Sequence, residues 1–156
     1  MVAKGYSQRE GIDYEETFSP IAKLNTIRML IVLATKYHWS LHQLDVKYVF
    51  LNGELKEDVY LTQSEGFIKK GQEHLVCKLK KALYGLKQAP RSWYEKKDSF
   101  LLQHGYKRSK NDPNMYTIFD SKGNIVLISL YVDDLIVIRN YDELVEEIKV
   151  HMSQVF

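Results

Sequence analysis

Two adjacent aspartates interrupt the most apolar part of the chain and constrain its fold more than any other feature. Residues 125–138 read Ile-Val-Leu-Ile-Ser-Leu-Tyr-Val-Asp-Asp-Leu-Ile-Val-Ile, which predicts two strands joined by a tight turn. Asp133 and Asp134 then lie within an apolar hairpin, where two anions must be solvated, share a proton or be neutralised by a cation. Taken alone, the motif fits an ordinary exposed Asp-Asp turn equally well.

A third acidic residue stands at the centre of another predicted strand. Asp45 lies between Leu44 and Val46, within a stretch at 41–50 that reads as extended. One carboxylate beside two at an adjacent hairpin tip suits hard divalent cations, which bind oxygen ligands and retain water. The three acids together therefore indicate a site for Mg²⁺ or Mn²⁺.

Apolar periodicity and turn residues predict a mixed α/β chain without internal repeats. The predicted helices cover 26–37, the stretch from Pro90 to Gly105, and the residues after a cap at Asn140. The predicted strands cover 41–50, 59–62, 75–80, 116–119, 125–131 and 135–138, with a tight turn at Asn52-Gly53. Trp93 and Phe100 are seven residues apart on the second helix, which predicts that both are core residues.

The cations of the chain are concentrated in one segment, although the net charge is only +2. Residues 69–110 hold twelve Lys or Arg and three acids, an excess of +9, and the other residues sum to −7. Such a segment could bind a polyanion, and a merely solvated basic face explains it equally well before any motif is considered.

Cysteine usage and hydropathy exclude several classes of protein. Cys77 is the only cysteine, so an intramolecular disulfide is impossible, and we predict that it is a buried strand residue. The longest apolar run, 29–34, is far too short to cross a bilayer, and no apolar leader follows Met1. We therefore expect an intracellular protein without membrane contact.

Three motifs occur in a fixed order along the chain. They are Leu-Asp-Val-Lys at 44–47, Ala-Leu-Tyr-Gly-Leu-Lys-Gln-Ala-Pro-Arg at 82–91, and Tyr-Val-Asp-Asp at 131–134. With these motifs and the supporting stretches at 2–8, 11–20 and 22–28, the chain resembles the reverse transcriptase of copia-type LTR retrotransposons over nearly its whole length.

The resemblance implies an α/β (α+β) right-hand polymerase fold in which an antiparallel sheet packs on helices. Residues 1–40 and 52–90 would be fingers-like and 41–51 and 91–156 would be palm, in a single partial domain without thumb or RNase H. Asp45, Val46 and Asp133 would hold two Mg²⁺ or Mn²⁺ ions, with support from Asp134. In this family the primer 3′-hydroxyl attacks the α-phosphorus of a deoxynucleoside triphosphate, and the two cations stabilise the attacking and leaving oxygens.

The resemblance also assigns residues to the substrates. Phe50 would be an aromatic wall under the sugar, with Val49, Tyr84 and Gly85 near the nucleotide. The residues expected to contact an RNA or DNA template with its primer are Lys78, Lys80, Lys81, Lys87, Gln88 and Arg91. Gln88 has two equal interpretations, a template contact or a cap of the helix that Pro90 opens.

Several positions depart from the family pattern. Tyr48 and Val49 stand where the family has Ser or Thr and then Ala, and Arg139 replaces a usual Gly. The added methyl groups of Val49 would crowd the triphosphate or shift Asp45. Two functions therefore stay open: a polymerase module that works within the rest of a Pol polyprotein, whose element would form cytoplasmic virus-like particles, and a noncatalytic remnant or basic nucleic-acid-binding fragment.

Overall fold

Antiparallel strands and two helices make up most of the computed structural model, which describes residues 2–47 and 49–141. The strands are β1 Ser40–Asp45, β2 Tyr60–Thr62, β3 Val76–Lys78, β4 Lys107–Arg108, β5 Met115–Phe119, β6 Ile125–Tyr131 and β7 Asp134–Arg139. The helices are α1 Leu24–Tyr37 and α2 Ala89–Gln103, with short 3₁₀ helices at Gly5–Ser7 and Val49–Asn52. One sheet has the order β1-β7-β6-β5-β4, and β2 and β3 form a separate antiparallel ribbon. The mixed α/β class with an antiparallel sheet is confirmed.

The chain forms two compact units. One contains Phe50–Lys96 and the described residues up to Ser19, and it includes the ribbon of β2 and β3. The other contains the described residues of Pro20–Val49 and those from Lys97 onward, and it includes the five-stranded sheet and α1. Helix α1 therefore belongs to the same unit as the sheet.

Both faces of the large sheet are packed, which explains why β6 and β7 are apolar at consecutive positions. On one face, residues of both strands join a core with the C-terminal half of α2; its buried members include Val126, Ile128, Leu130, Leu135, Val137, Phe100 and Leu101. On the other face, Leu127 and Ile138 pack against Leu30 and Ala34 of α1. The spacing of four residues puts Leu30 and Ala34 on one side of the helix, as the sequence periodicity predicts.

The strand predicted at 41–50 is shorter than expected. β1 ends at Asp45, because its last partner on β7 is Asp134, and the backbone N–H of Val46 already donates to the Asp133 carbonyl in the turn, at 3.1 Å. The chain then enters the 3₁₀ helix Val49–Asn52. In place of the tight turn predicted at Asn52-Gly53, this 3₁₀ helix ends there, with the N–H of Gly53 donating to the carbonyl of Phe50 at 3.0 Å.

Three other expectations have different outcomes. Cys77 lies on a strand as predicted, but its predicted burial is wrong, because every residue of β3 is exposed in the two-stranded ribbon. The final helix predicted after Asn140 falls outside the described residues, and the side chain of Asn140 accepts a hydrogen bond from the N–H of Ile125 at 2.8 Å.

The core assignments of Trp93 and Phe100 are confirmed, with 1% and 8% of their surfaces exposed. In the described part of the chain, neither helix is long and apolar enough to cross a bilayer.

Asp112 fixes the start of α1 although it is distant in sequence. Its carboxylate accepts hydrogen bonds from the N–H of Lys23 at 3.2 Å and the hydroxyl of Thr26 at 2.5 Å, and it also accepts from the N–H of Asn114 at 3.0 Å. We expect Asp112→Ala to lower the free energy of unfolding by about 1 to 2 kcal/mol, because three donors lose a buried charged acceptor. Urea denaturation at pH 7 measures this loss. Asp58→Ala, which removes an exposed ion pair with Lys78, is the control and should leave the free energy of unfolding nearly unchanged, because solvent screens exposed pairs.

Candidate functional site

The turn between β6 and β7 carries the adjacent aspartates. Tyr131 and Asp134 are the last paired residues of the two strands, so Val132 and Asp133 form a two-residue loop. Val132 has a φ of 42°, in the left-handed region that a β-branched residue rarely adopts. The turn therefore has a strained backbone that the surrounding contacts must hold in place.

Asp45 and Asp134 lie side by side on neighbouring strands. They are partners in the register of β1 and β7, so their side chains project from the same face of the sheet. Their neighbours Leu44 and Leu135 project from the opposite face, into the core that contains α2. The amide of Gln43 also donates a hydrogen bond to Asp134, with 3.0 Å between Nε2 and Oδ1. Two of the three carboxylates predicted to lie together, those of Asp45 and Asp134, are thus neighbours on the sheet.

Asp133 has a different environment. Lys97 of α2 is buried, with 2% of its surface exposed, and its Nζ donates a hydrogen bond to the carbonyl of Val132 at 2.7 Å. Its ammonium attracts the carboxylate of Asp133, one oxygen of which is buried. Asp133 is therefore held toward α2, whereas Asp45 and Asp134 project from the other face of the sheet.

The burial of Lys97 changes its acidity. Desolvation lowers the pKa of Lys97 to about 8, and the attraction of Asp133 partly opposes this by favouring the charged form. At neutral pH the side chain therefore still carries a positive charge directly behind the acidic turn.

The carboxylates fit a divalent cation only in part. Asp45 and Asp134 offer adjacent, hard oxygen donors of the kind that Mg²⁺ and Mn²⁺ bind. Asp133 does not join them, and across residues 2–47 and 49–141 no group of three His, Cys, Asp or Glu side chains is arranged to hold a metal ion. Of the three carboxylates predicted to cluster, Asp45 and Asp134 form a pair, and Asp133 is attracted to the ammonium of Lys97 instead.

The residues expected near the nucleotide lie largely in the other unit. Phe50 is buried, and its ring meets that of Tyr84 edge to face, with 4.4 Å between centroids. Gly85 has a φ of 94°, and a Cβ at this position would collide with the carbonyl of Ala3, so only glycine allows the close approach of these two backbone segments. The N–H of Ala3 also donates to the carbonyl of Tyr84 at 2.7 Å, which fixes the loop against the start of the chain.

Two of the departures from the family pattern are buried. Val49 has no exposed surface, so its additional methyl groups are packed within the protein. Arg139 is 5% exposed and lies beside His42, with 3.3 Å between Nη2 and Nε2.

The expected nucleic-acid contacts differ in how available they are. Lys80, Lys81 and Lys87 are exposed. Lys78 forms an ion pair with Asp58 at 2.6 Å. Arg91 pairs with Glu16 and, at 2.9 Å, with Glu95, and hydrogen bonds to these carboxylates raise its pKa. The positive charge of residues 69–110 is therefore partly balanced by Asp58 and Glu16, which lie outside this segment.

The side chain of Gln88 is buried and hydrogen-bonded within the protein. It is 1% exposed, its Oε1 accepts from the amide of Gln8 at 3.0 Å, and its Nε2 donates to the carbonyl of Asp13 at 3.2 Å. Its side chain thus ties the start of α2 to the residues near the beginning of the chain.

Sequence reasoning missed Lys97 and Gln43. Lys97 follows Trp93 by four residues and precedes Phe100 by three, so helical spacing places a charged side chain on the apolar face of α2. Gln43 precedes Asp45 by two residues and therefore lies on the same face of β1. Both signals are present in the sequence, but neither identifies the partner of the side chain.

The amino-acid sequence of the chain matches a known protein family. The model of the reverse transcriptase (RNA-dependent DNA polymerase) family matches residues 1–156. The chain is 44% identical over its full length to the retrovirus-related Pol polyprotein from transposon TNT 1-94 of Nicotiana tabacum, of which it covers 12%. It is 45% identical over its full length to the Pol polyprotein from transposon RE1 of Arabidopsis thaliana, of which it covers 11%.

More distant relatives include the transposon Ty1-ER2 Gag-Pol polyprotein of Saccharomyces cerevisiae, 30% identical over 82% of this chain and 7% of that protein. No solved structure matches the chain. The chain spans about a tenth of the length of the plant polyproteins. The family match over all 156 residues shows that the chain belongs to the reverse transcriptase (RNA-dependent DNA polymerase) family.

Proposed function

We propose that the chain is the RNA-directed DNA polymerase module of a copia-type Pol polyprotein, with a right-hand polymerase fold. The observation that carries this proposal is the pairing of Asp45 with Asp134 next to the 131–134 turn, in a chain of the reverse transcriptase family. The unit that contains the five-stranded sheet would be the palm. The unit that contains Phe50–Lys96 would be the fingers-like part and the start of the palm helix.

The proposed cofactor is a pair of Mg²⁺ or Mn²⁺ ions. Asp45 and Asp134 would supply adjacent carboxylate oxygens, and Asp133 and the main chain of Val46 would complete the donor set. When bound, such ions supply a Lewis acid that activates the primer hydroxyl and stabilises the leaving pyrophosphate. The contribution of the chain itself is to hold two carboxylates at fixed register and to exclude water from the apolar strands below them.

The proposed substrate is a deoxynucleoside triphosphate. Phe50 is held by the edge of Tyr84, so its ring has little freedom to move away from an added ribose hydroxyl. Gly85 keeps its loop close to the first residues of the chain, and Val49, which precedes Phe50 in the sequence, is buried. We infer that these residues position and select the sugar.

The proposed nucleic-acid surface consists of the exposed lysines at 80, 81 and 87, together with Lys78 and Arg91. Phosphate contacts by such side chains give affinity with little sequence preference. Gln88 would support this surface indirectly, because its buried amide holds neighbouring segments in place. The remaining partners would be the other domains of the polyprotein, in cytoplasmic particles.

We expect the chain to bind primer-template duplexes weakly and with a steep dependence on salt. The excess of +9 over residues 69–110 implies release of several counterions, so affinity should fall at least about tenfold between 50 and 200 mM salt. Fluorescence anisotropy with duplexes of two unrelated sequences measures this.

The charge variant Lys80→Gln/Lys81→Gln should weaken binding and flatten the salt dependence, by about one unit of slope for each lost phosphate contact. Lys122→Gln, which removes a lysine on a turn outside the segment, should leave both unchanged. Binding that is insensitive to salt, or equally sensitive in both variants, contradicts the assignment of this surface.

A noncatalytic nucleic-acid-binding fragment is the second candidate. It is favoured by the separation of Asp133 from Asp45 and Asp134, together with the exposed lysines. Primer extension by a complete copia-type polyprotein that carries residues 1–156 in place of its own matching segment separates the two functions. Extension that requires Asp45 supports the polymerase, and duplex binding without extension supports the binding fragment.

A further inference from the structure

A buried ammonium group lies directly behind the acidic turn. Lys97 is 2% exposed, and its Nζ is fixed on the carbonyl of Val132 at 2.7 Å. An ammonium taken out of water is strongly destabilising unless an anion compensates it. The carboxylate of Asp133, in the same turn, supplies that attraction.

The three carboxylates of the turn region are consequently divided. Asp45 and Asp134 project together from one face of the sheet, and Asp133 is directed toward the α2 side, where one of its oxygens is buried. A cation bound by Asp45 and Asp134 could recruit Asp133 only if that carboxylate gave up the attraction of Lys97. The positive charge of Lys97 would also repel the incoming cation.

We propose that Lys97 is a built-in counter-ion of Asp133 and competes with a divalent cation for that carboxylate. This inference rests on the proposed function, because it assumes that Asp133 is a ligand of the cation. The ammonium holds the carbonyl of Val132 and attracts the carboxylate of Asp133, which keeps the strained turn in place when no cation is bound. It also sets the affinity of the site, which is weaker than the same carboxylates would have without it.

Two neutral variants separate the charge of Lys97 from its hydrogen bond. Lys97→Gln removes the charge and retains a donor for the Val132 carbonyl, whereas Lys97→Met removes both. Mn²⁺ binding to the full chain at pH 7, followed by electron paramagnetic resonance of the free ion, should tighten by about tenfold in both variants, because an opposite charge typically shifts carboxylate equilibria by at least that factor. Lys107→Gln, an exposed charge removal in the same unit, should leave the affinity unchanged.

The dependence on Asp133 is tested in a second background. In Asp133→Asn, which has no carboxylate for Lys97 to attract, adding Lys97→Gln should tighten Mn²⁺ binding by much less than tenfold, because only the repulsion between the ammonium and the cation is removed. A cooperative thermal transition by circular dichroism identifies the folded variants, and Lys97→Gln alone suffices if Lys97→Met does not fold. Tightening that is much larger when Asp133 is present is a result that a purely structural role of Lys97 would not produce.

The outcomes that overturn the inference are distinct from failure of the proposed function. If Lys97→Gln leaves Mn²⁺ affinity unchanged or weakens it, or if it tightens binding equally in the Asp133→Asn background, Lys97 is not the counter-ion of Asp133. If Asp45→Asn, Asp133→Asn and Asp134→Asn all leave Mn²⁺ binding unchanged, the proposed metal site itself is wrong.

Discussion

Asp133→Asn is expected to lower primer extension by at least about 10²-fold in a complete copia-type polyprotein that carries residues 1–156. The substitution keeps the size of the side chain but removes the negative charge that would attract the cations, and preorganised charges at reacting centres are typically worth 10² to 10³ in rate. Single-turnover extension with Mg²⁺ measures the loss. Asp45→Asn should reduce extension to a similar degree, because Asp45 is the register partner of Asp134 on the neighbouring strand.

Asp98 provides a matched control for these substitutions. It lies one residue after Lys97, and its carboxylate accepts hydrogen bonds from Arg108 at 3.0 Å and from the hydroxyl of Tyr116 at 2.6 Å. Asp98→Asn removes the same charge within the same unit, and we expect extension to stay within about threefold of the parent. Extension by Asp133→Asn within tenfold of the parent would show that Asp133 is not a ligand. An equal loss in Asp98→Asn would show that the effect is general destabilisation.

The parts of the fold that the sequence predicts well are those fixed by local patterns. The hairpin of β6 and β7 follows from two apolar runs around Asp133 and Asp134, and α2 follows from Pro90 at its start and Gly105 beyond its end. Gly105 has a φ of 83°, in the left-handed region that commonly terminates helices. Such features depend on neighbours within a few residues, so a single sequence contains the information.

The direction of Asp133 is not contained in a local pattern. It depends on Lys97, which is 36 positions away in the chain, and on the strained turn at Val132. Spacing alone places three carboxylates near one another and suggests that all of them face one point. The structure shows that adjacent residues at a turn can face opposite sides of a sheet, as Asp133 and Asp134 do here.

The prediction that Cys77 is buried is wrong for a related reason. Alternation of apolar and basic residues at 75–80 predicts a strand but does not say whether a second layer covers it. In the structure β3 pairs only with β2 among the described residues, and all three of its residues are exposed. Burial depends on tertiary neighbours, so it could be predicted for β6, which is apolar on both faces, but not for β3.

Lys97 should also make the stability of the protein increase with pH above about 8. Its pKa is about 8 in the folded protein, against an ordinary value of 10.5, so between these values the unfolded chain holds a proton that the folded chain lacks. Stability rises with pH wherever the unfolded state binds more protons. With about 1.4 kcal/mol for each pH unit, the free energy of unfolding should rise by roughly 2 to 3 kcal/mol between pH 7 and pH 10.

Lys97→Met isolates this effect, because it removes the titrating group and keeps an apolar side chain of similar length on the buried face of α2. Urea denaturation at pH 7, 8, 9 and 10 should show a rise in the parent relative to the variant. The comparison ends at pH 10 because Tyr106 titrates above it, since burial raises the pKa of Tyr106 from 10.0 to about 12. Between these values the unfolded chain has lost the tyrosine proton that the folded chain keeps, so the free energy of unfolding falls as the pH rises. Parallel pH profiles for parent and variant would show that the ammonium of Lys97 is not desolvated in the folded protein.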